Sequence, residues 1–308
     1  MSGWRRAEVE LLDDWRPPWH AEEFALDFEP EGHVYTIRKP ELRLIDGRGP
    51  IDNRAWLLFD ERAWLLSDGC SRWVVEPTAT PKRMEVISVT TLIGLFSGGR
   101  SWFSDAKARA GTDRHAICEL DDRGAEIDIT LRGQASVEMT HERTMEKIVA
   151  PLNDNTVAAL SAWRSFLRTF DVRGQVAIEQ PIVSAIGVRD EAEFFAGTID
   201  RVLRMPTADG SGERVVLVDI KGTARMEHYP IQLAAYALAW NTHAPPEYRV
   251  SEAWCVHLSS RGGGSFEVVP YGEETLRDAT EAWGKMVDLY ASRSLWGLRN
   301  LEVDHGRA

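Results

Sequence analysis

Two short acidic segments are the part of this sequence best suited to chemistry. They are Phe195-Ala196-Gly197-Thr198-Ile199-Asp200-Arg201-Val202 and Val216-Leu217-Val218-Asp219-Ile220-Lys221-Gly222, separated by the polar stretch 207–212. Asp209-Gly210 within that stretch predicts a tight turn between two strands. A hairpin symmetric about this bond sets Asp200 directly across from Asp219, with opposed Cβ atoms about 4.5–5.5 Å apart. Two carboxylates so placed repel unless solvent screens them or a cation lies between them. Hard oxygen ligands at that spacing suit Mg2+ or Mn2+. Lys221 follows Asp219 by two residues, so it shares its strand face. An ammonium there can orient an attacking water or steady charge building on a phosphate. Asp219 also ends the apolar run Val215–Val218, where a charge is costly unless paired. Alone, Asp-x-Lys ordinarily describes a strand end meeting water, and only the opposed Asp200 and the buried strand bring a site level with that reading.

Two further segments hold suitable groups. In His228-Tyr229-Pro230-Ile231-Gln232-Leu233-Ala234-Ala235-Tyr236 the proline marks a helix start, and Gln232 and Tyr236 share one helix face. In Ala108-Arg109-Ala110-Gly111-Thr112-Asp113-Arg114-His115-Ala116 a single histidine lies on a helical stretch, where a plain core histidine is the ordinary meaning. Arg100, Lys107, Arg109, Arg114 and Arg123 surround it, as either a solvated helix face or a nucleic-acid groove.

The elements that must position these groups follow from periodicity. Residues 1–30 read as an irregular arm and 33–86 as β-rich. There Arg54-Ala55-Trp56-Leu57-Leu58 recurs as Arg62-Ala63-Trp64-Leu65-Leu66, a hairpin or small meander. Ser88 is an N-cap for a helix over Val89–Phe96. Residues 102–121 read as a helix broken near Gly111, and 137–170 as helical with a break at Pro151 and Asn153–Asn155. Val176–Ser184, Glu193–Arg204 and Arg214–Lys221 read as strands, Ile231–Thr242 as a helix, Glu252–Ser259 and Ser265–Pro270 as strands, and Glu273–Ala291 as a closing amphipathic helix. That order fits a mixed α/β core.

A chain of 308 residues, 44% hydrophobic, can bury a sizeable core. No run approaches the roughly 18 apolar residues of a membrane span, and MSGWRRAEVELLDDW has no apolar run of a secretory signal. Cys70, Cys118 and Cys255 lie far apart, which suits reduced thiols in the cytoplasm and is too few for a four-cysteine iron–sulfur cluster. The net charge of −12 argues against a general nucleic-acid coat, though not against one local groove.

Taken together the motifs resemble the RecB-type branch of the PD-(D/E)xK nucleases, which includes phage recombination exonucleases. That pattern runs from a Gly-x-x-x-His helix through a glutamate strand, a Gly-x-Ile-Asp strand and an (Asp/Glu)-x-Lys strand to a Gln-x-x-x-Tyr helix. Here Gly111 to His115, Glu179, Gly197 to Asp200, Asp219 to Lys221 and Gln232 to Tyr236 stand in that order. Glu191 and Glu193 compete with Glu179 for the glutamate position. His33-Val34-Tyr35 and Ser88-Val89-Thr90 resemble the N-terminal part of phage members, although Ile87 replaces the usual proline.

The resemblance implies an α/β fold with a restriction-endonuclease-like core, a central mixed β-sheet flanked by helices, and an N-terminal β-rich lobe. The expected division is an arm and lobe over 1–84, the nuclease core over 85–295 and a tail over 296–308. His115, Asp200, Asp219 and the carbonyl of Ile220 would hold Mg2+ or Mn2+. Lys221, Asp219, Asp200 and Glu179 would be catalytic, with Gln232, Tyr236 and Arg114 supporting the site and the DNA. The implied activity is phosphodiester hydrolysis by an exonuclease at DNA ends, in recombination, repair or phage DNA processing. The alternative is a nuclease fold without activity, serving as a DNA-binding or scaffold subunit. Expected partners are DNA ends or single strands and a single-strand-annealing or recombination protein, with further copies of the chain allowed and no membrane. The expected location is the cytoplasm, or the host cytoplasm for a phage protein.

Overall fold

The computed structural model describes residues 27–29, 34–38, 40–46, 55–60, 63–67, 72–77, 83–97, 105–129, 133–141, 144–188, 191–222, 225–259 and 264–293. The arm over 1–26, Cys70, Arg100, the side chain of Lys107 and the tail over 296–308 lie outside the described residues.

The N-terminal third supplies strands β1 (Asp27–Glu29), β2 (Val34–Arg38), β3 (Pro40–Asp46), β4 (Ala55–Asp60), β5 (Ala63–Ser67), β6 (Arg72–Pro77) and β7 (Arg83–Ser88). The repeated Trp-Leu-Leu segments are β4 and β5, paired antiparallel as a hairpin. Helix α1 (Val89–Phe96) starts where Ser88 Oγ accepts the Thr91 amide at 3.0 Å. Helix α2 (Asp105–Asp122) precedes the hairpin β8 (Gly133–His141) and β9 (Thr144–Leu152) and helix α3 (Asp154–Thr169). Then come β10 (Gly174–Val188), β11 (Glu191–Pro206), β12 (Glu213–Lys221), α4 (Tyr229–His243), β13 (Glu252–Leu258), β14 (Phe266–Tyr271) and α5 (Glu273–Ala291).

Two expectations need correction. Helix α2 runs unbroken through Gly111. One interior glycine costs roughly 1 kcal/mol, and burial of Ile117, Cys118 and Leu120 on the same helix outweighs it. Gly133–His141 and Thr144–Leu152 pair as antiparallel strands, whereas the expected helix begins at residue 137. Glu138, Met139, Glu146 and Lys147 favour helix individually. Strand pairing sets Glu138 against Lys147, while Ala150 and Leu152 enter the core beside α2 and α3, and this tertiary context overrides propensity.

The remaining strands form one mixed sheet of twelve, flanked by helices on both faces, which is a restriction-endonuclease-like α/β core. Strand β12 shows how the two faces are filled. Val215 and Leu217 point to a core shared with α4 and α5, whereas Val216, Val218 and Ile220 point to a second core made by α2 and α3. Period-2 alternation therefore carries Asp219 and Lys221 to the α4 side. One edge of β11 is shared in succession. Strand β7 pairs parallel at Phe195 and Ala196, and β12 pairs antiparallel from Arg201 to Pro206. Residues 197–200 span the fork where those two neighbours diverge.

Candidate active site

The site is built at that fork. Arg201 pairs with Val218, the register required by a turn centred on Asp209–Gly210, so Asp200 and Asp219 are the next positions beyond the last ladder pair. On the other edge, Ile178 pairs with Arg201 and Gln180 with Ile199, which brings Glu179 opposite Asp200. Three carboxylates thus stand in a row across β10, β11 and β12. Glu191 and Glu193 lie at the far end of β11, opposite Val188 and Ile186. Glu179 has a left-handed φ of 44°. For a residue with a side chain this costs roughly 1–2 kcal/mol, and such strain gathers where a side chain must be aimed. Asp200 bridges the fork directly, its Oδ2 accepting the Ile220 amide at 2.6 Å.

Helix α2 brings His115 to the same point from the opposite layer. Nε2 lies 3.0 Å from the Ile220 carbonyl, and Nδ1 lies 3.5 Å from both Glu179 Oε1 and Asp200 Oδ1. Ligand atoms of His115, Glu179 and Asp200 fall within 4.8 Å of one another. Their chemistry fits a divalent cation, because one imidazole and two carboxylates match Mn2+ or Mg2+ better than a soft metal. Electrostatics agree. Burial, with Asp219 and Glu179 nearby, pushes Asp200 up to about 7, although His115 acts the other way. A carboxylate so disfavoured in its charged form is one that added positive charge would relieve. Burial alone would raise Glu179 and lower His115. Instead bonding to His115 and Arg201 holds Glu179 at about 2, and Asp200 and Glu179 raise His115 to about 9.

Asp219 turns the other way. Its carboxylate is buried and its Oδ2 lies 2.7 Å from Lys221 Nζ, so it stands outside the His115 cluster. Burial would lower the Lys221 ammonium, yet Asp219 and Asp200 raise it, so it is cationic across the physiological range. Nζ donates to Gln232 Oε1 at 3.4 Å and sits 5.0 Å from the Tyr229 ring centroid. Gln232 in turn donates to Tyr236 Oη at 3.3 Å. Tyr236 explains Gly197: a Cβ there would come within 2.5 Å of Tyr236 Cε1. The tyrosine fills the fork that the glycine leaves open. Tyr35 closes the same region, its hydroxyl 2.9 Å from Thr198 Oγ1.

Among the described basic residues around His115, Arg109, Arg114 and Arg123, it is Arg114 that approaches the site. Its guanidinium lies over Gly222, where a Cβ would meet Nη1 at 3.4 Å, and its buried Nε has no hydrogen-bond acceptor. Burial lowers its pKa. Arg109 is exposed. Arg123 is consumed within the fold by Glu119 Oε1 at 2.7 Å and the Ile178 carbonyl at 3.4 Å.

Sequence reasoning passed over Arg201 and Asp122. Arg201 is fully buried and joins Asp122 Oδ2 at 2.6 Å to Glu179 Oε1 at 2.7 Å. A signal existed, since Leu203 and Met205 share its strand face and an arginine on an apolar face must find a partner. His257, aligned with Lys221 on β13, was also missed. It is buried with Nδ1 against the Gly222 carbonyl and no partner for Nε2.

The family model described as the PD-(D/E)XK nuclease superfamily matches residues 99–295, more than half of the chain. No curated protein matches. Among solved structures, the crystal structure of SSO0001 aligns at 14% identity and a TM-score of 0.24, covering 40% of this chain. The chain spans 55% of the length of that protein.

Proposed function

This chain belongs to the PD-(D/E)XK nuclease superfamily, and from that premise we propose that it is a metal-dependent deoxyribonuclease of the RecB-like branch acting at DNA ends. The observation that carries the reading is the row Glu179–Asp200–Asp219 beside His115 and Lys221. An acidic row, two of its carboxylates buried, with one imidazole and one ammonium matches what phosphodiester hydrolysis needs.

Roles follow from placement. His115, Glu179 and Asp200 would hold the cation, with the Ile220 carbonyl and the Asp219 carboxylate at its rim. Bound there, Mg2+ or Mn2+ supplies Lewis acidity to the phosphate and lowers the pKa of a water. Lys221 stays charged and orients that water toward phosphorus, and its ammonium also steadies the charge that grows on the phosphate oxygens. Asp219 fixes Lys221 by the 2.7 Å contact, and Gln232 and Tyr236 brace it from α4. Arg114, whose guanidinium lies over Gly222 beside the site, is suited to a neighbouring phosphate.

Action at ends rather than at a specific internal sequence draws on three points. A net charge of −12 disfavours tight binding along internal duplex. The sequence has no helix-turn-helix, zinc-finger spacing or basic recognition helix to reach base edges. The motif order is that of a branch whose members mostly trim ends or flaps. Such an enzyme belongs to recombination, repair or phage DNA processing.

Equal amounts of linear and covalently closed circular DNA, incubated with protein and Mg2+, test the proposal. Stepwise shortening of the linear form with the circle intact is expected. Discrete fragments from the circle overturn the end-directed reading, and no hydrolysis of either form in Mg2+ or Mn2+ overturns the nuclease reading.

A further inference from the structure

Behind the acidic row lies a polar network enclosed in the protein. Asp122, at the end of α2, accepts Trp163 Nε1 at 2.9 Å and Gln175 Nε2 at 2.7 Å on Oδ1, and Arg201 Nε at 2.6 Å on Oδ2. Arg201 then reaches forward. Its Nη1 donates to Glu179 Oε1 at 2.7 Å and to the Asp200 carbonyl at 2.5 Å. Its guanidinium carbon sits 5.7 Å from the Trp163 ring centroid.

Two features set this apart from an ordinary buried ion pair. First, the guanidinium connects two environments. Asp122 is 1% exposed and Glu179 is 20% exposed, so the bridge runs from the sealed interior to the mouth of the site. A pair serving stability alone would end at Asp122, which already neutralises the arginine. Second, the carboxylate it grips belongs to the strained residue of the row, with φ of 44°. A glutamate on a kinked strand has rotamers that turn its carboxylate away from His115. A planar fork holding Oε1 removes them, and the rigidity of guanidinium makes it suited to hold two acceptors at a fixed separation.

We propose that Arg201, anchored by Asp122, is a positioning residue that fixes the Glu179 carboxylate against His115 and Asp200 and so preorganises the cation site. This rests on the reading of those three residues as ligands given under the proposed function. Partners behind a metal ligand typically change affinity by about 10–100-fold when replaced.

Calorimetric titration of the full chain with Mn2+ in the absence of DNA is the test, comparing wild type, Arg201→Lys, Glu179→Gln and the double variant. Lysine keeps the charge and can pair with Asp122, but a point donor cannot also hold Glu179. Arg201→Lys is expected to weaken Mn2+ binding about tenfold or more in the wild-type background and by less than about threefold once Glu179 is Gln. A purely structural role predicts the same loss in both backgrounds, and that result overturns the proposal. So does Mn2+ affinity for Arg201→Lys within twofold of wild type. If Arg201→Lys does not fold, Asp122→Asn reads the same coupling, because it leaves Arg201 in place and removes only its anchor. Weakening confined to the background that retains Glu179 is expected, and equal loss in both overturns the proposal. Wild type that binds no Mn2+ overturns the cation-site reading itself and this proposal with it. Wild type that binds while Arg201 proves indifferent overturns this proposal alone.

Discussion

Replacing Gly197 by alanine tests whether the fork is assembled as described. Gly197 is an extended residue paired with Ile182, so its backbone places no bar on a side chain. Given space, Gly→Ala would stabilise by roughly 0.4–1 kcal/mol through the unfolded chain. The space is occupied. The new Cβ would sit 2.5 Å from Tyr236 Cε1 and 3.2 Å from both Cζ and Oη. Carbon–carbon contact is comfortable at about 3.5–4.0 Å, so the ring must retreat by about 1 Å. Tyr236 is 4% exposed and lies on α4 within the main core, where overpacking of this kind costs about 1–3 kcal/mol. Net destabilisation of about 1–2 kcal/mol should lower Tm by roughly 1.5–3 °C at this chain size. Function should suffer more. Tyr236 holds Gln232, and Gln232 accepts from Lys221, so a 1 Å shift propagates to the ammonium, and misplacement on that scale costs up to about 10² in rate. Thermal denaturation followed by circular dichroism in EDTA, and single-turnover hydrolysis of end-labelled linear DNA in Mg2+, measure the two effects. Tyr236→Phe should rescue neither, because the clash is with ring carbons. In a Tyr236→Leu background, Gly197→Ala should cost no further stability. A Gly197→Ala protein with wild-type Tm and rate refutes the reasoning, as does an undiminished cost in the Tyr236→Leu background.

Other outcomes follow from the same geometry. Asp219→Asn and Lys221→Ala should each lower the single-turnover rate at least about a hundredfold while leaving a folded protein; near wild-type cleavage by either would remove that residue from the chemistry. Hydrolysis should require Mg2+ or Mn2+, stop with EDTA and be weak in Ca2+, whose longer and looser coordination aligns a water poorly. His115→Ala and Asp200→Ala should each bind Mn2+ more weakly in calorimetry, and unchanged affinity would exclude the residue as a ligand. With His115 raised to about 9, protons compete with the cation at neutral pH, so Mn2+ affinity should climb as pH rises toward 9 instead of levelling near the ordinary histidine value of about 6.5. Stability of the metal-free protein should move oppositely. His115 and Asp200 are both raised on folding, the first to about 9 and the second to about 7. Each therefore contributes stability that is present below its unfolded pKa and lost as pH rises through the folded one. Urea midpoints in EDTA should fall between about pH 4 and 9, first through Asp200 and then through His115, and a flat profile there would contradict the raised values of these two groups.

Much of this site was legible in the chain before folding because it depends on local rules. Asp209-Gly210 sets the turn, the turn sets the register of β11 and β12, and period-2 alternation places Asp219 and Lys221 on one face. Ser88 caps α1 through its own hydroxyl, and Pro230 enters the first turn of α4. Each of these is a matter of neighbours a few residues apart. Tertiary structure alone decided the rest. Gly133–His141 and Thr144–Leu152 carry helix formers, yet strand pairing and burial of Ala150 and Leu152 make them antiparallel strands. Whether Glu179 or Glu191 joins the row depends on a pairing between strands and on a kink with positive φ, which no spacing reports. Asp219 facing Lys221 rather than the His115 cluster is a choice of side-chain direction made by burial and charge. Gly197 reads in the sequence as the glycine of a Gly-x-Ile-Asp segment, with no reason given for a glycine there. Only Tyr236, brought across from α4, shows that this position has no room for a methyl group, because close packing is a property of chains already assembled.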